Sequence, residues 1–439
     1  VIPGNRLIVW TAITVLPVAA LMGVLPLARP ILFALAGLFL VLIVADAVFS
    51  ARRLKLVTIR LPEVVRSQKD RPSEMRIVIS NPRLEAMALR IAPELPPSFA
   101  SPAESVVAAI NRESIDSQFR WVCTPQQRGR FQISRVHIEA PSHLGFWAFR
   151  GTRAVSCEYR VYPNLVNERR KAAAVFLTRG HTGIRARRFS GKGRDFEKLR
   201  NYVPGDSYDE IHWRASAKRG HPVTKVFQIE RTQEVNVVID ASRLTSRALR
   251  GDADGDGGAT VNVLERFITA GLMLALAAQQ QGDRYGMLTF SDRIERFVPA
   301  RSGRKHFDLC RDALYTLQPR IVTPNYQELA TFIRLRMRKR SLLIVLTALD
   351  DPVLAESFLQ SIPLISRQHL VLVNMIRPPG ADPIFEGASA TVDTVDEIYQ
   401  RLGGHLQWHE LRELEKVLQR HGVAFRQLDN AKMVLDVIT

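Results

Sequence analysis

VNVVID (235–240) is the stretch whose reading decides the fold of this chain. Six residues with four apolar side chains, too short for a helix and rich in valine and isoleucine, suit a strand buried on both faces. Downstream the same rhythm repeats. VLERFITAGLMLALAAQQQ (263–281) has helical periodicity, and RYGMLTF (284–290) reads as a strand. HFDLCRDALYTL (306–317) and YQELATFIRLRMR (326–338) read as helices. LLIVLTAL (342–349) and LVLVNMI (370–376) are further apolar strands, and helices follow around 394–402 and 408–421. VAFRQL (423–428) is the last strand. Strands alternating with helices predict an α/β domain over 234–439 built on a doubly wound, Rossmann-like sheet, whose ligands sit at the carboxyl ends of the strands. A short acidic glycine loop, 251–258, reads as a surface excursion.

Upstream the material changes. Between residues 168 and 220 stand 14 Lys or Arg against 6 Asp or Glu, punctuated by glycines. That pattern predicts a basic linker over 164–233. Residues 54–163 hold short runs with period-two alternation: KLVTIRL (55–61), EMRIVISN (74–81), SQFRWVC (117–123), GRFQISRVHIEA (129–140) and SCEYRVYP (156–163). They predict a small antiparallel β-sandwich, with the proline-rich stretch 92–104 as a loop.

Residues 7–28 carry no charge, and as a helix they span about 33 Å, one hydrocarbon core. A second apolar run, 31–45, continues past Asp46 to Phe49. With so short a loop between them, the two form an antiparallel membrane hairpin over 1–53. The first run is too long for a signal peptide and no small-residue cleavage site follows it. Asp46, near the end of the second run, is expected to reach the membrane interface. Arg52, Arg53, Lys55 and Arg60 follow the second span, while the hairpin loop holds only Arg29. The positive-inside rule therefore expects a multi-pass protein of the inner membrane with its soluble domains in the cytoplasm.

The 439 residues carry a formal charge of +18, from 61 Lys plus Arg against 43 Asp plus Glu, which calls for an acidic partner: an anionic leaflet, nucleic acid or an acidic protein face. The three cysteines, Cys123, Cys157 and Cys310, are widely spaced, and without a CxxC pair they support neither a disulfide framework nor a cysteine zinc site. His405 and His409 lie four apart but form no HExxH pattern, and Gly191-Lys192-Gly193 opens no Walker loop.

The chemistry begins at the end of the first sheet strand, with Asp240-Ala-Ser242-Arg-Leu244-Thr245. A carboxylate and a hydroxyl two residues on can offer oxygens to a hard divalent cation. The pattern resembles the metal-ion-dependent adhesion site of von Willebrand factor A domains, with Leu244 in place of a second serine. The resemblance implies a further hydroxyl, for which Thr323 is the candidate, and an aspartate in the turn Thr347-Ala348-Leu349-Asp350-Asp351, where Ala348 takes its place. A weak Mg²⁺ site at Asp240, Ser242 and Thr323 is the one cofactor this admits, with Asp350 or Asp351 as a rearranged ligand.

The longest motif lies in the basic segment. Arg200-x-Tyr202-x-Pro204-Gly205-Asp206, then Trp213-Arg214-Ala-Ser216-Ala-Lys218, then Lys225-x-Phe227-x-x-Glu230, resembles the signature of the domain of unknown function 58 family. Lys218 stands where the family has Arg, and His212 where it has Asp. RGRF (128–131), HLGFW (143–147), the hairpin and the factor A-like sheet fit the same family. Physically, Tyr202, Trp213 and Phe227 can pack the linker on a sheet. Arg200, Arg214 and Lys218 can pair with Asp206, Asp209 or Glu230, or face an acidic partner. These residues are expected to form an interdomain clamp or a docking surface.

The resemblance implies a non-enzymatic membrane scaffold or adaptor working with a MoxR-type AAA+ ATPase, chaperone-like, in protein assembly or envelope maturation, beside other membrane proteins. The alternative is a divalent-metal-dependent hydrolase or nuclease using Asp240, Asp350 and Asp351. No nucleophile, base and orienter stand out together, and nucleic acid is not an expected partner because the aromatics sit in a packing motif.

Overall fold

The computed structural model describes residues 1–24, 29–51, 54, 56–82, 86–110, 114–170, 190–203, 208, 211–228, 234–249, 261–384 and 395–429. The chain divides into two compact units, Val1–Asn164 and Leu165–Thr439.

The first unit opens with β1 (Ile2–Pro3) and two helices, α1 (Asn5–Val24) and α2 (Arg29–Ser50). Both helices are long and apolar enough to cross a membrane. Leu16, Ile31, Phe33, Leu38 and Leu40 all stand exposed, as befits helices that are apolar all round. Nine strands follow: β2 (Thr58–Arg60), β3 (Val64–Gln68), β4 (Ser73–Ser80), β5 (Met87–Pro93), β6 (Phe99–Ala100), β7 (Val106–Ile110), β8 (Asp116–Pro125), β9 (Gly129–Pro141) and β10 (Trp147–Tyr162). One sheet runs β1-β10-β9-β5-β7 with β3 beside β10, and the other runs β2-β4-β8-β6. Period-two alternation explains why they face each other. Met75, Ile77 and Ile79 of β4 turn inward with Leu89, Ile91, Ile138 and Tyr159, while Glu74 and Arg76 stay in solvent.

Two details depart from the expected sandwich. The pair β3 and β10 is parallel, so the sheets are not wholly antiparallel. The proline-rich stretch 92–104 is not all loop: Ala92 and Pro93 close β5, and β6 lies within it.

In the second unit the described part of the basic segment contains a strand pair. β11 (Ser190–Asn201) pairs antiparallel with β12 (Val223–Gln228), and α3 (Trp213–Arg219) lies in their connection. Beyond it come β13 (Glu234–Asp240), the short pair β14 (Ala248–Leu249) and β15 (Val261–Asn262), α4 (Val263–Gln281), β16 (Arg284–Phe290), β17 (Ile294–Arg301), α5 (Arg304–Leu314), α6 (Tyr326–Arg336), β18 (Leu342–Leu346), α7 (Pro352–Ser361), α8 (Pro363–Ser366), β19 (Leu370–Ile376), α9 (Val395–Arg420) and β20 (Ala424–Leu428). The main sheet is ordered β17-β16-β13-β18-β19-β20. β13, β16, β18, β19 and β20 are parallel, and β17 runs antiparallel at the edge.

Residues next to each other on a strand feed opposite cores. Val237 and Ile239 join Phe267 and Leu272 of α4 on one face. Val238 joins Tyr326 and Ile333 of α6 and Phe358 of α7 on the other. Helices therefore cover both faces, which is why these strands read as unbroken apolar runs. The two helices expected around 394–402 and 408–421 are one. α9 runs straight through Gly403 and Gly404, and a side chain at Gly404 would collide with the Gly380 carbonyl, 1.9 Å from its would-be Cβ. Gly404 serves a close approach, not a break.

Candidate functional site

β13 is the centre of the sheet, and Asp240 is its last residue. Its carboxylate is fully buried. Oδ1 accepts from the Ser242 backbone N–H at 2.8 Å, and Oδ2 accepts from the Thr347 hydroxyl at 2.7 Å. Thr347 follows β18, the neighbouring strand, so the parallel register brings these two strand ends together. The Tyr326 hydroxyl, at the start of α6, lies 3.1 Å from the Thr347 Oγ1. Burial pushes the Asp240 carboxyl above the ordinary carboxylate range, against the hydrogen bonds from Thr347 and Ser242 that favour its charged form. Burial, and then the Asp240 charge, push the Tyr326 phenol well up.

Arginines hold the other carboxylates of this edge. Arg247 grips Asp350 with two bonds, 2.6 and 3.0 Å. Arg243 donates to Asp351 at 2.7 Å. Asp351 also caps α7, accepting from Val353 N–H at 3.1 Å. The loop before α6 is laid across the same edge: Arg320 N–H donates to the Ala241 carbonyl at 2.7 Å, and Arg243 N–H to the Val322 carbonyl at 3.0 Å. Arg320 in turn reaches Asp292 at 2.8 Å, beside Ser291 at the end of β16. The Ser291 hydroxyl, followed by the Arg320 charge, holds the Asp292 carboxyl below its usual range.

The residues present do not fit a resident Mg²⁺. Both Asp240 oxygens are taken by donors of the fold, and Asp350 and Asp351 are neutralised by guanidinium groups. Leu244 and Ala348 offer no oxygen ligands. Ser242 is fully buried, and its hydroxyl has no hydrogen-bond partner among the described residues. Thr323 is exposed on its loop. Among the described residues no three His, Cys, Asp or Glu cluster in a way that could hold a metal ion.

In the basic segment, Pro204, Gly205, Asp206, Asp209 and Glu230 lie outside the described residues, as does the loop 251–258. Ser216 organises the rest. Its hydroxyl donates to the His212 carbonyl at 3.0 Å and accepts from the Val223 N–H at 2.9 Å, tying α3 to β12. His212 caps the helix, its ring nitrogen accepting from Ala215 N–H at 3.1 Å. Arg200 lies near the end of β11, and Tyr202 stacks on Tyr208 with ring centroids 6.2 Å apart. Trp213 does not pack the segment against a sheet: it is 68% exposed, and Arg214 and Lys218 are exposed on the same short helix. So short a helix has too narrow a face to bury all three.

Sequence reading missed Arg243 and Arg247, which sit three and seven residues past Asp240, and Arg320. The signal was there in the adjacent acidic pair 350–351, which needs counter-charges if it stands at a strand end. His405 stacks on Trp408 at 5.5 Å, so it packs on its own helix.

Residues 198–394 match the family model described as Protein of unknown function DUF58, and the match supports the DUF58 family for this chain. A crystal structure of a protein of unknown function from Porphyromonas gingivalis W83 is similar over 25% of this chain, at 13% identity and a TM-score of 0.18. The match spans 48% of that chain, about half its length, and carries no argument about fold or function. No curated protein matches.

Proposed function

We propose that this chain is a membrane-anchored, non-enzymatic scaffold or adaptor. Its C-terminal α/β unit is a von Willebrand factor A-like binding domain, and its helices α1 and α2 form a two-span anchor with the soluble parts in the cytoplasm. The observation that carries this reading is the carboxyl edge of the sheet. The strand order 3-2-1-4-5-6, with an antiparallel third strand, puts Asp240-x-Ser242 at the centre of the edge where such domains bind. There two of the three carboxylates that hydrolysis would use, Asp351 and Asp350, are already paired with Arg243 and Arg247, and Asp240 is held by Ser242 N–H and the Thr347 hydroxyl. An edge of locked ion pairs presents a fixed polar surface for a protein partner and leaves no free acid and base.

The resemblance of the basic signature supplies the partner: a MoxR-type AAA+ ATPase, acting in protein assembly or envelope maturation beside other membrane proteins. The exposed Trp213, Arg214 and Lys218 suit docking on an acidic face, since an aromatic and two cations in solvent are typical of anchors awaiting a partner. The basic flank of the second span supports the cytoplasmic orientation.

The test is affinity purification of the full chain from detergent-solubilised membranes of its own host. An AAA+ ATPase is expected among the co-purified proteins, lost on Trp213→Ala together with Arg214→Ala. Repeated recovery without any such ATPase overturns the partner. Divalent-dependent phosphoester cleavage by the pure chain, abolished by Asp240→Asn, would overturn the non-enzymatic reading.

A further inference from the structure

HLGFW (143–147) forms the tight turn between β9 and β10, and within the first unit this turn is bound to the membrane helices. The turn closes on itself through Ser142 N–H to the Trp147 carbonyl, 2.7 Å, and Trp147 N–H to the Ser142 hydroxyl, 3.0 Å. Gly145 takes a φ of +78°, which a side chain would resist. From there the turn donates to α2. Leu144 N–H bonds Asp46 Oδ1 at 3.1 Å, His143 N–H bonds the Ser50 hydroxyl at 3.1 Å, and the Trp147 indole N–H bonds the Ile43 carbonyl at 3.0 Å. Phe146 meets Phe39 edge to face, 6.2 Å between centroids. On the other side Gly4 N–H donates to the Phe146 carbonyl at 2.7 Å, and Ile2 and Pro3 pair with β10. Gly4 is required there, because a Cβ would stand 2.8 Å from the Gly145 carbonyl oxygen.

These contacts fix a depth. From Ser50 back to Phe39 is eleven residues, about 16 Å along a helix. The hydrocarbon core is only about 30 Å thick. The turn also meets the chain at Gly4, the residue before α1. An element that lies beside the last three turns of one span and the start of the other cannot stay in bulk water if both helices cross the bilayer. Its composition agrees. Leu144 is 48% exposed, and its neighbours on α1, Val9 and Trp10, are 54% and 49% exposed. With Asn5, Arg6 and Phe146 they line a groove. Arg6 is exposed and has no ion pair among the described residues.

Resting on the membrane reading above, we infer that the turn 142–147 is a third membrane-contacting element, whose groove seats a phospholipid. The acyl chain lies over Leu144, Val9 and Trp10, and the anionic head group meets Arg6. Continuity with the two spans argues for lipid as the occupant, and the unpaired cation at an apolar rim argues for an anionic head. Asp46 is the positioning residue: its buried carboxylate holds the turn against α2.

Depth-dependent quenching tests this on the full chain in vesicles of phosphatidylcholine and phosphatidylglycerol. The three native cysteines are buried, so a single added cysteine can be labelled with an environment-sensitive fluorophore. Leu35→Cys reports the span, Leu144→Cys the turn, and Arg120→Cys, on the outer face of β8, the water-exposed sandwich. Spin-labelled lipids should quench the Leu144 probe most from a shallow position on the acyl chain, the Leu35 probe most from a deep one, and the Arg120 probe from neither. Adding Asp46→Ala should release the Leu144 probe from quenching while leaving Leu35 unchanged. Adding Arg6→Ala should weaken the Leu144 response in vesicles rich in phosphatidylglycerol more than in pure phosphatidylcholine. A Leu144 probe that behaves like Arg120 while Leu35 is quenched overturns this inference alone. An unquenched Leu35 probe overturns the membrane reading, and the inference with it. Equal effects of Arg6→Ala in both vesicles remove the head-group contact.

Discussion

Among the described residues each unit has one aspartate buried as a whole residue, and the two are handled alike. Asp46 is 5% exposed and Asp240 fully buried, and neither is paired with a cation among the described residues. Asp46 accepts from a backbone N–H and from the Ser50 hydroxyl; Asp240 accepts from a backbone N–H and from the Thr347 hydroxyl. The difference lies in completeness. Both oxygens of Asp240 are satisfied, whereas Asp46 Oδ2 has no partner among the described residues. A satisfied buried carboxylate is a rigid joint; a half-satisfied one costs part of what it contributes. Asp350, its side chain 8% exposed, and Asp351, 27% exposed, follow the other rule and take arginines that are themselves partly in water. Neutral donors therefore mark the joints inside each unit, and guanidinium pairs mark the rim.

The largest effect expected from breaking this comparison is at Asp240. Asp240→Ala strands the Ser242 N–H and the Thr347 hydroxyl in a dry site, and should cost about 3 kcal/mol in urea unfolding of the second unit. Asp240→Asn keeps the shape and should cost far less. The pH dependence sharpens the point. A carboxyl raised in the folded state binds its proton more tightly there than when unfolded. Its contribution is then greatest at low pH and declines as the pH rises from the ordinary carboxylate range through the raised one. Asp240→Asn should remove that decline in a thermal melt series, and an unchanged pH profile would show that Asp240 is not the group responsible.

Asp46→Ala should cost less, about 1–2 kcal/mol, because relief of the orphaned Oδ2 offsets part of the lost bonds. The measurement is thermal unfolding of the full chain in detergent, followed by the fluorescence of Trp147. A cost as large as that of Asp240→Ala would erase the distinction drawn between the two sites. Smaller again is Asp350→Ala at the rim, about 1 kcal/mol, since Arg247 can turn to water once released. The smallest expected response is none: the thiols should not react with a disulfide reagent at pH 8 before unfolding. Burial pushes Cys157 up to about 11 and Cys310 to about 12, and raises Cys123 as well. Rapid titration of any thiol in the native chain would show that its core opens.

How far could these sites be read in advance? The apolar runs at 235–240, 342–349 and 370–376 were legible as buried strands because burial on both faces leaves no polar positions. β17 was not, since an edge strand half in water, IERFVPAR, carries no such run. β10 was read only from residue 156, although it begins at Trp147. Its first half, where exposed Arg150, Thr152 and Ala154 alternate with half-buried Gly151 and Arg153, has the mixed pattern of a sheet's outer stretch. Asp46 was read as a carboxylate at the interface because nothing local shows a backbone N–H arriving from residue 144. Asp240 was singled out correctly as a strand-end residue, yet the arginines that neutralise its neighbours lie within eight residues of it and were passed over. The motif directed attention to oxygens.

Local order along the chain was enough to determine the two apolar helices, the alternation of strand and helix, and the placing of Asp240 at a strand end, since periodicity and burial act residue by residue. Only the tertiary structure decided what each buried charge meets. Each of Asp46 and Asp240 has one donor close by in the chain and one, Leu144 N–H or the Thr347 hydroxyl, from about a hundred residues away. Partners so distant are chosen by the packing of whole sheets and helices, and no window of sequence records that choice.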